Sequence, residues 1–92
     1  MEITIEDLKK LDSPNIIDIR SSDSYNKGHI QGSKNIIYNN LVLKSQLFLN
    51  KTETYYIYCD YGNTSLGLCK ILRGQGYNVY SIKGGYSKLT NR

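Results

Sequence analysis

The chain predicts an α/β domain built on a small parallel sheet with helices on both faces. Apolar, strand-like runs at Asn15–Ile19, Tyr55–Cys59 and Asn78–Ile82 alternate with segments of helical apolar spacing, the clearest being Thr64–Arg73. The Asn15–Ile19 run is nearly continuous rather than alternating, as expected of a strand covered on both faces. A strand, a glycine-containing loop and a helix follow one another at Tyr55–Arg73, which is the connection parallel sheets require.

In chain order, Glu2–Thr4 reads as a short opening strand and leads into a helix through Leu11, with Ile5, Leu8 and Leu11 on one face and acids in its first turn. Asp12-Ser13-Pro14 breaks it. After the strand at Asn15–Ile19, Ser21–Lys27 is polar and suits a short helix closed by Gly28, and Gly32–Ile37 reads as another short strand. Leu41, Val42, Leu43, Leu47 and Leu49 give Tyr38–Asn50 a helical pattern, and Lys51–Thr54 connects it to the strand Tyr55–Cys59. The helix Thr64–Arg73 turns Leu68, Cys69, Ile71 and Leu72 inward and stops at Gly74 and Gly76. Asn78–Ile82 is the last strand, Gly84-Gly85 a turn, and Tyr86–Asn91 a final helical turn or two.

Ninety-two residues suit one domain, here 1–92, with no repeat, linker or low-complexity segment. An apolar content of 39% and a charged content of 22% are those of an ordinary globular chain. No apolar stretch approaches the roughly 18–20 residues that cross a bilayer, and the acidic start Met1–Lys10 is unlike a signal peptide. The expected setting is therefore cytoplasmic, with no membrane partner. Two cysteines make no disulfide framework, and a single histidine leaves a metal site without ligands.

Residues 1–60 carry seven basic and eight acidic side chains, a balance of −1, whereas residues 61–92 carry five basic and no acidic ones, a balance of +5. Positive charge that follows a cysteine loop attracts a small anion or an acidic partner, although such charges also simply solvate a surface. The bases are scattered singly without interleaved stacking residues, so nucleic acid is not the expected partner. The nine tyrosines are read as compositional bias and strand packing.

The chemistry concentrates at Cys59. It ends an apolar strand and opens the loop Cys59-Asp60-Tyr61-Gly62-Asn63-Thr64-Ser65, directly before a helix. Loop N–H groups and the positive end of that helix favour thiolate over thiol, so Cys59 is the expected nucleophile. Cys69, on the inward helical face beside Leu68 and Leu72, is expected to be packing. Asp60 opposes a stabilised thiolate unless its carboxylate points to solvent.

Three segments in order resemble the rhodanese family of sulfurtransferase domains. Ile17-Asp18-Ile19-Arg20, followed by Tyr25-Asn26-Lys27-Gly28-His29-Ile30-Gln31-Gly32-Ser33-Lys34-Asn35-Ile36, is similar to the family's D-[VI]-R … Y-x-x-G-H-I-x-G-[AS]-x-N-[IV] stretch. Tyr58-Cys59-Asp60-Tyr61-Gly62-Asn63-Thr64-Ser65 resembles its Y-C-x-x-G-x-[RST]-S loop. Leu72 and Gly76-Tyr77-Asn78-Val79-Tyr80-Ser81-Ile82-Lys83-Gly84-Gly85-Tyr86 resemble, with small spacing differences, its closing L-x-x-x-G-[FY]-x-x-V-x-x-L-x-G-G. The chain departs from the pattern at Thr64, where many members carry arginine, at Ser24, where an acid is usual, and at Leu89, in place of tryptophan.

The resemblance implies a rhodanese-like parallel sheet of about five strands. It also implies that Cys59 takes sulfane sulfur from a small anionic donor such as thiosulfate, holds it as a persulfide and passes it to cyanide, a thiol or a protein acceptor, without metal or organic cofactor. Asp60, Tyr61, Gly62, Asn63, Thr64 and Ser65 would form the substrate-binding loop, their N–H groups ringing the sulfur, and Gly62 would let the backbone turn tightly. Asp18, Arg20 and His29 would support it structurally. Without the loop arginine, anion binding falls to backbone donors, the Thr64 and Ser65 hydroxyls and nearby bases. Phosphate chemistry on a cysteine would need an arginine where Ser65 stands, which excludes it. The remaining alternative is a catalytically weak binding or sulfur-carrier module of the same fold.

Overall fold

In the computed structural model, which describes residues 1–90, the central strand is the run that ends at Cys59. Five strands, β1 (Glu2–Ile3), β2 (Asn15–Asp18), β3 (Lys34–Asn35), β4 (Thr54–Tyr58) and β5 (Asn78–Ile82), form one sheet in the order β1-β5-β4-β2-β3. Every pairing is parallel. Asp18 sits opposite Tyr58 and Ile57 opposite Ser81, so the ends of β2, β4 and β5 lie side by side.

Alternation along the strands divides the apolar side chains between two layers. Ile17, Ile57, Cys59 and Val79 pack with Leu41, Leu49, Leu68, Cys69 and Leu72, beneath α3 (Tyr38–Leu43), α4 (Ser45–Phe48) and α5 (Asn63–Gly74). Ile16, Tyr58 and Ile82 turn the other way, toward Ile5 and Leu8 of α1 (Ile5–Leu8) and toward Tyr86 and Leu89 of α6 (Gly85–Thr90). The short α2 (Ser22–Lys27) is capped by the Ser21 hydroxyl, which accepts from the Ser24 N–H.

Three expectations are corrected. The first helix ends at Leu8, not Leu11: Lys9 to Asp12 turn away, and Leu11 is left 38% exposed. Tyr38–Asn50 is two short helices broken at Lys44, whose φ of −132° is not helical. Ile71 is 44% exposed, because the buried stripe of α5 is Ser65, Leu68, Cys69 and Leu72 and Ile71 falls on its flank. Asn91, expected in the last helix, lies outside the described residues.

Candidate active site

Cys59 follows the last residue of β4 at the C-terminal edge of the sheet, where parallel α/β folds place their ligands. The chain must reverse within three residues to start α5, and Gly62 makes the reversal at φ 102°, a left-handed conformation that any side chain would strain. A Cβ there would also meet the Gly84 nitrogen of the neighbouring β5–α6 turn at 3.1 Å. The reversal folds two backbone donors back onto the sulfur: the Gly62 N–H lies 3.1 Å and the Ser65 N–H 3.3 Å from Cys59 Sγ. The Ser65 hydroxyl oxygen is 3.4 Å away. Since Ser65 belongs to the first turn of α5, the sulfur lies at the positive end of a 12-residue helix.

Of the six loop residues expected to bind substrate, Gly62 and Ser65 are buried against the sulfur, while Asp60, Tyr61, Asn63 and Thr64 are exposed. Their N–H groups do not form the full ring that the loop sequence suggested; the sulfur takes its amide bonds from Gly62 and Ser65. The Asp60 side chain is 60% exposed and leans toward Arg20, with 3.6 Å between Oδ1 and Nη1.

Asp18 and Arg20 form a buried pair beside the loop. Arg20 Nε donates to both Asp18 oxygens at 3.1 Å, and Nη2 donates to Oδ2 at 2.7 Å and to the Gly28 carbonyl at 2.7 Å. The guanidinium also lies over the Tyr86 ring, 4.2 Å from its centroid. Burial pulls the Arg20 pKa down, but the hydrogen bonds and charge of Asp18, with Tyr58 and Asp60, more than offset it and the pKa is raised. His29 is set apart. Its ring stacks on Tyr25 at 3.7 Å, and Nδ1 is 2.7 Å from the Tyr25 carbonyl, which can only accept, so Nδ1 carries the proton.

Three supports were not legible from local sequence. The Cys59 and Asp60 carbonyls accept from the Tyr86 and Ser87 N–H groups at 2.9 Å, so the start of α6 holds the loop backbone. Gly85 permits this approach: it has φ 60°, and a Cβ there would collide with the Cys59 carbonyl oxygen and come within 2.7 Å of Asp60 backbone atoms. Ser81 of β5, fully buried, stands with its hydroxyl 2.6 Å from that of Ser65. The Gly-Gly pair was the only local signal of any of these.

Among the described residues no cluster of His, Cys, Asp and Glu fits a metal ion, and no helix is long and apolar enough to cross a membrane. A cavity of about 350 Å³ lies at the opposite edge of the sheet, lined by Pro14, Asn15 and Thr54 where β2 and β4 begin, and is separate from the sulfur.

Residues 4–92 match the family model described as Rhodanese-like domain. The chain belongs to the rhodanese-like family. Its sheet superposes on SSP1007 from Staphylococcus saprophyticus with a TM-score of 0.87 at 31% identity, over 96% of this chain and 92% of that one. A rhodanese-like domain protein from Staphylococcus aureus gives a TM-score of 0.83 at 28% identity, over 92% and 87% of the two chains. Among curated relatives, the thiosulfate sulfurtransferase GlpE of Tolumonas auensis is 34% identical over 86% of this chain and 74% of its own length. The adenylyltransferase and sulfurtransferase uba4 of Ogataea parapolymorpha is 30% identical over 98% of this chain. This chain spans only 23% of that protein and 16% of the tRNA sulfurtransferase of Thermoplasma volcanium. Sulfur-transfer proteins therefore recur among the relatives of this rhodanese-like chain, both as small domains and as parts of larger ones.

Proposed function

We propose that residues 1–92 act as a sulfurtransferase domain that carries sulfane sulfur on Cys59. The observation that carries this reading is the pair of backbone donors, the Gly62 and Ser65 N–H groups, converging on one sulfur at a helix N-terminus, with the Ser65 hydroxyl 3.4 Å away. Such a cradle stabilises an anionic sulfur before and after transfer. The likeness to proteins named thiosulfate sulfurtransferase supports thiosulfate as a donor.

In the first half-reaction the Cys59 thiolate attacks the outer sulfur of thiosulfate. The S–S bond of the donor breaks, sulfite leaves with the electron pair, and Cys59 becomes a persulfide whose terminal sulfur carries the charge. In the second, cyanide or an acceptor thiolate attacks that terminal sulfur and the Cys59 thiolate is released. Gly62 and Ser65 hold the charge in both states. The exposed Asn63 and Thr64 offer polar groups to the arriving donor, and Tyr61, 74% exposed, offers a face to a thiol or protein acceptor. Asp18 and Arg20 fix the neighbouring backbone, and His29 caps α2. The cycle uses no metal or organic cofactor. Free Cys59 and Cys69 thiols suit a reducing compartment such as the cytoplasm.

The test is thiocyanate formation from thiosulfate and cyanide, with intact-mass analysis after thiosulfate alone. We expect turnover and the added mass of one sulfur on Cys59, both abolished in Cys59→Ser. Equal rates for the two proteins, or no added sulfur, would replace this reading with a binding module that keeps the fold.

A further inference from the structure

We propose that Ser81 is a positioning residue for Cys59, acting through Ser65 as the second member of a two-hydroxyl switch. Ser65 and Ser81 are both fully buried, one in the first turn of α5 and the other in β5. Ser65 Oγ has three neighbours: Cys59 Sγ at 3.4 Å, the Gly62 carbonyl at 3.2 Å and Ser81 Oγ at 2.6 Å. Ser81 Oγ has two, Ser65 Oγ and, at 3.5 Å, the same Gly62 carbonyl.

Each hydroxyl has one proton to give, so the arrangement must differ between the two states of the sulfur. When Cys59 is a thiol, its S–H donates to Ser65 Oγ, and the Ser65 O–H turns to the Gly62 carbonyl or to Ser81. When Cys59 is a thiolate, the Ser65 O–H turns to the sulfur. Its oxygen, on a side chain fully shielded from solvent, then needs a donor, and only the Ser81 O–H stands within reach among the partners of that oxygen. The Gly62 carbonyl can release both hydroxyls because the Leu66 N–H still donates to it at 3.1 Å. Ser81 thus completes the network selectively in the charged state, and its bond polarises the Ser65 hydroxyl toward the sulfur. Replacing Ser81 by alanine leaves the thiol state fully paired and orphans Ser65 Oγ in the thiolate state.

No charged group takes part in this path. Ionisable groups near Cys59 include Asp60 on the loop with Arg20 beyond it, Cys69 on α5, and Tyr86, whose N–H bonds the Cys59 carbonyl from the start of α6. β5 turns Val79 and Ser81 to this side. The inference rests on Cys59 acting as a thiolate but not on what the thiolate attacks, so it is tested without any sulfur donor.

The experiment is the rate of iodoacetamide labelling at Cys59 against pH, followed by mass spectrometry, in the wild type, Ser81→Ala, Ser65→Ala and the double variant. Ser81→Ala is expected to move the pH profile upward by about half a unit to one unit, slowing labelling on the limb below the midpoint by about three- to tenfold. In the Ser65→Ala background the same substitution is expected to add nothing, since its route to the sulfur is gone. An equal shift in both backgrounds, or no shift in either, overturns the proposal. Should Ser81→Ala fail to fold, the wild-type protein decides. The Ser81 Cβ resonance is expected to titrate with the same midpoint as Cys59 labelling and to lose that step in Cys59→Ala. A Ser81 signal that stays flat through the midpoint overturns it.

Discussion

Cys59 and Cys69 face the same apolar layer and are almost equally hidden from water, at 7% and 0% exposure. What surrounds the two sulfurs is different. Cys59 meets two backbone N–H groups and a hydroxyl at the start of α5. Cys69, a turn and a half further along the same helix, packs among Leu68, Leu72 and the strands, and burial pushes its thiol up to about 12 despite the opposing charges of Arg73 and the N-terminus. Burial alone therefore makes a cysteine inert. Burial against oriented donors makes a site, because the dipoles replace the water that burial removes.

The sharpest way to break this contrast is to alkylate both thiols at pH 8 and locate the label by mass spectrometry. With a pKa of about 12, only about one Cys69 side chain in ten thousand is ionised there. Cys69 should stay essentially unlabelled on the timescale of Cys59 labelling until denaturant is added. Comparable labelling would remove the distinction.

Gly85→Ala attacks the Cys59 side alone. The new methyl must displace the Cys59 and Asp60 backbone from a residue held at φ 60°. We expect a loss of about 2–4 kcal/mol in urea unfolding, combining left-handed strain with overpacking, and a collapse of Cys59 labelling toward that of an unactivated thiol. Unchanged stability would mean that the start of α6 does not hold the loop.

Alkaline pH attacks the Cys69 side. Its folded pKa is raised from 9.0 to about 12, so this group's stabilisation is complete below pH 9 and is lost as pH rises toward 12. Tyr58, raised mainly by burial from 10.0 to about 12, adds a second loss that begins about one unit higher. Between pH 8 and 11 the Cys69 contribution to the fall in unfolding free energy is on the order of 2 kcal/mol. Urea titrations across that range should be flatter for Cys69→Ala than for the wild type.

Asp60→Asn should have the smallest effect. The carboxylate is largely solvated and leans toward Arg20. Under the proposed thiosulfate reaction, removing its charge should change kcat/KM by less than about threefold, and less again at high salt. A larger gain would show that Asp60 does burden the thiolate.

Much of this contrast could be read from sequence, and the exceptions have a common cause. The strands Asn15–Asp18, Thr54–Tyr58 and Asn78–Ile82 announce themselves through short apolar runs, and Cys59 through its place between strand, glycine and helix. Thr4 caps its helix as a local signal would have it, yet that helix stops early because the packing beneath it ends with Leu8. Ser81, Tyr86, Ser87 and Gly85 escaped functional notice because their roles come from contacts with residues far away in sequence. A serine inside a strand reads as an interruption of the apolar pattern, and only the neighbouring helix gives it a purpose. The same holds for Ile71: spacing puts it near the buried stripe, and the exact phase of α5 against the sheet leaves it outside.

The bonds from the Tyr86 and Ser87 amides to the Cys59 and Asp60 carbonyls also set an order of events during synthesis. The ribosome makes Cys59 well before it makes the residues that fix its loop, and β1 has no neighbour until β5 emerges to pair with it. A nascent chain stalled before Gly85 would therefore hold its sulfur in an unset loop. Reactivity should appear only together with closure of the sheet, once β5 and the start of α6 have been made.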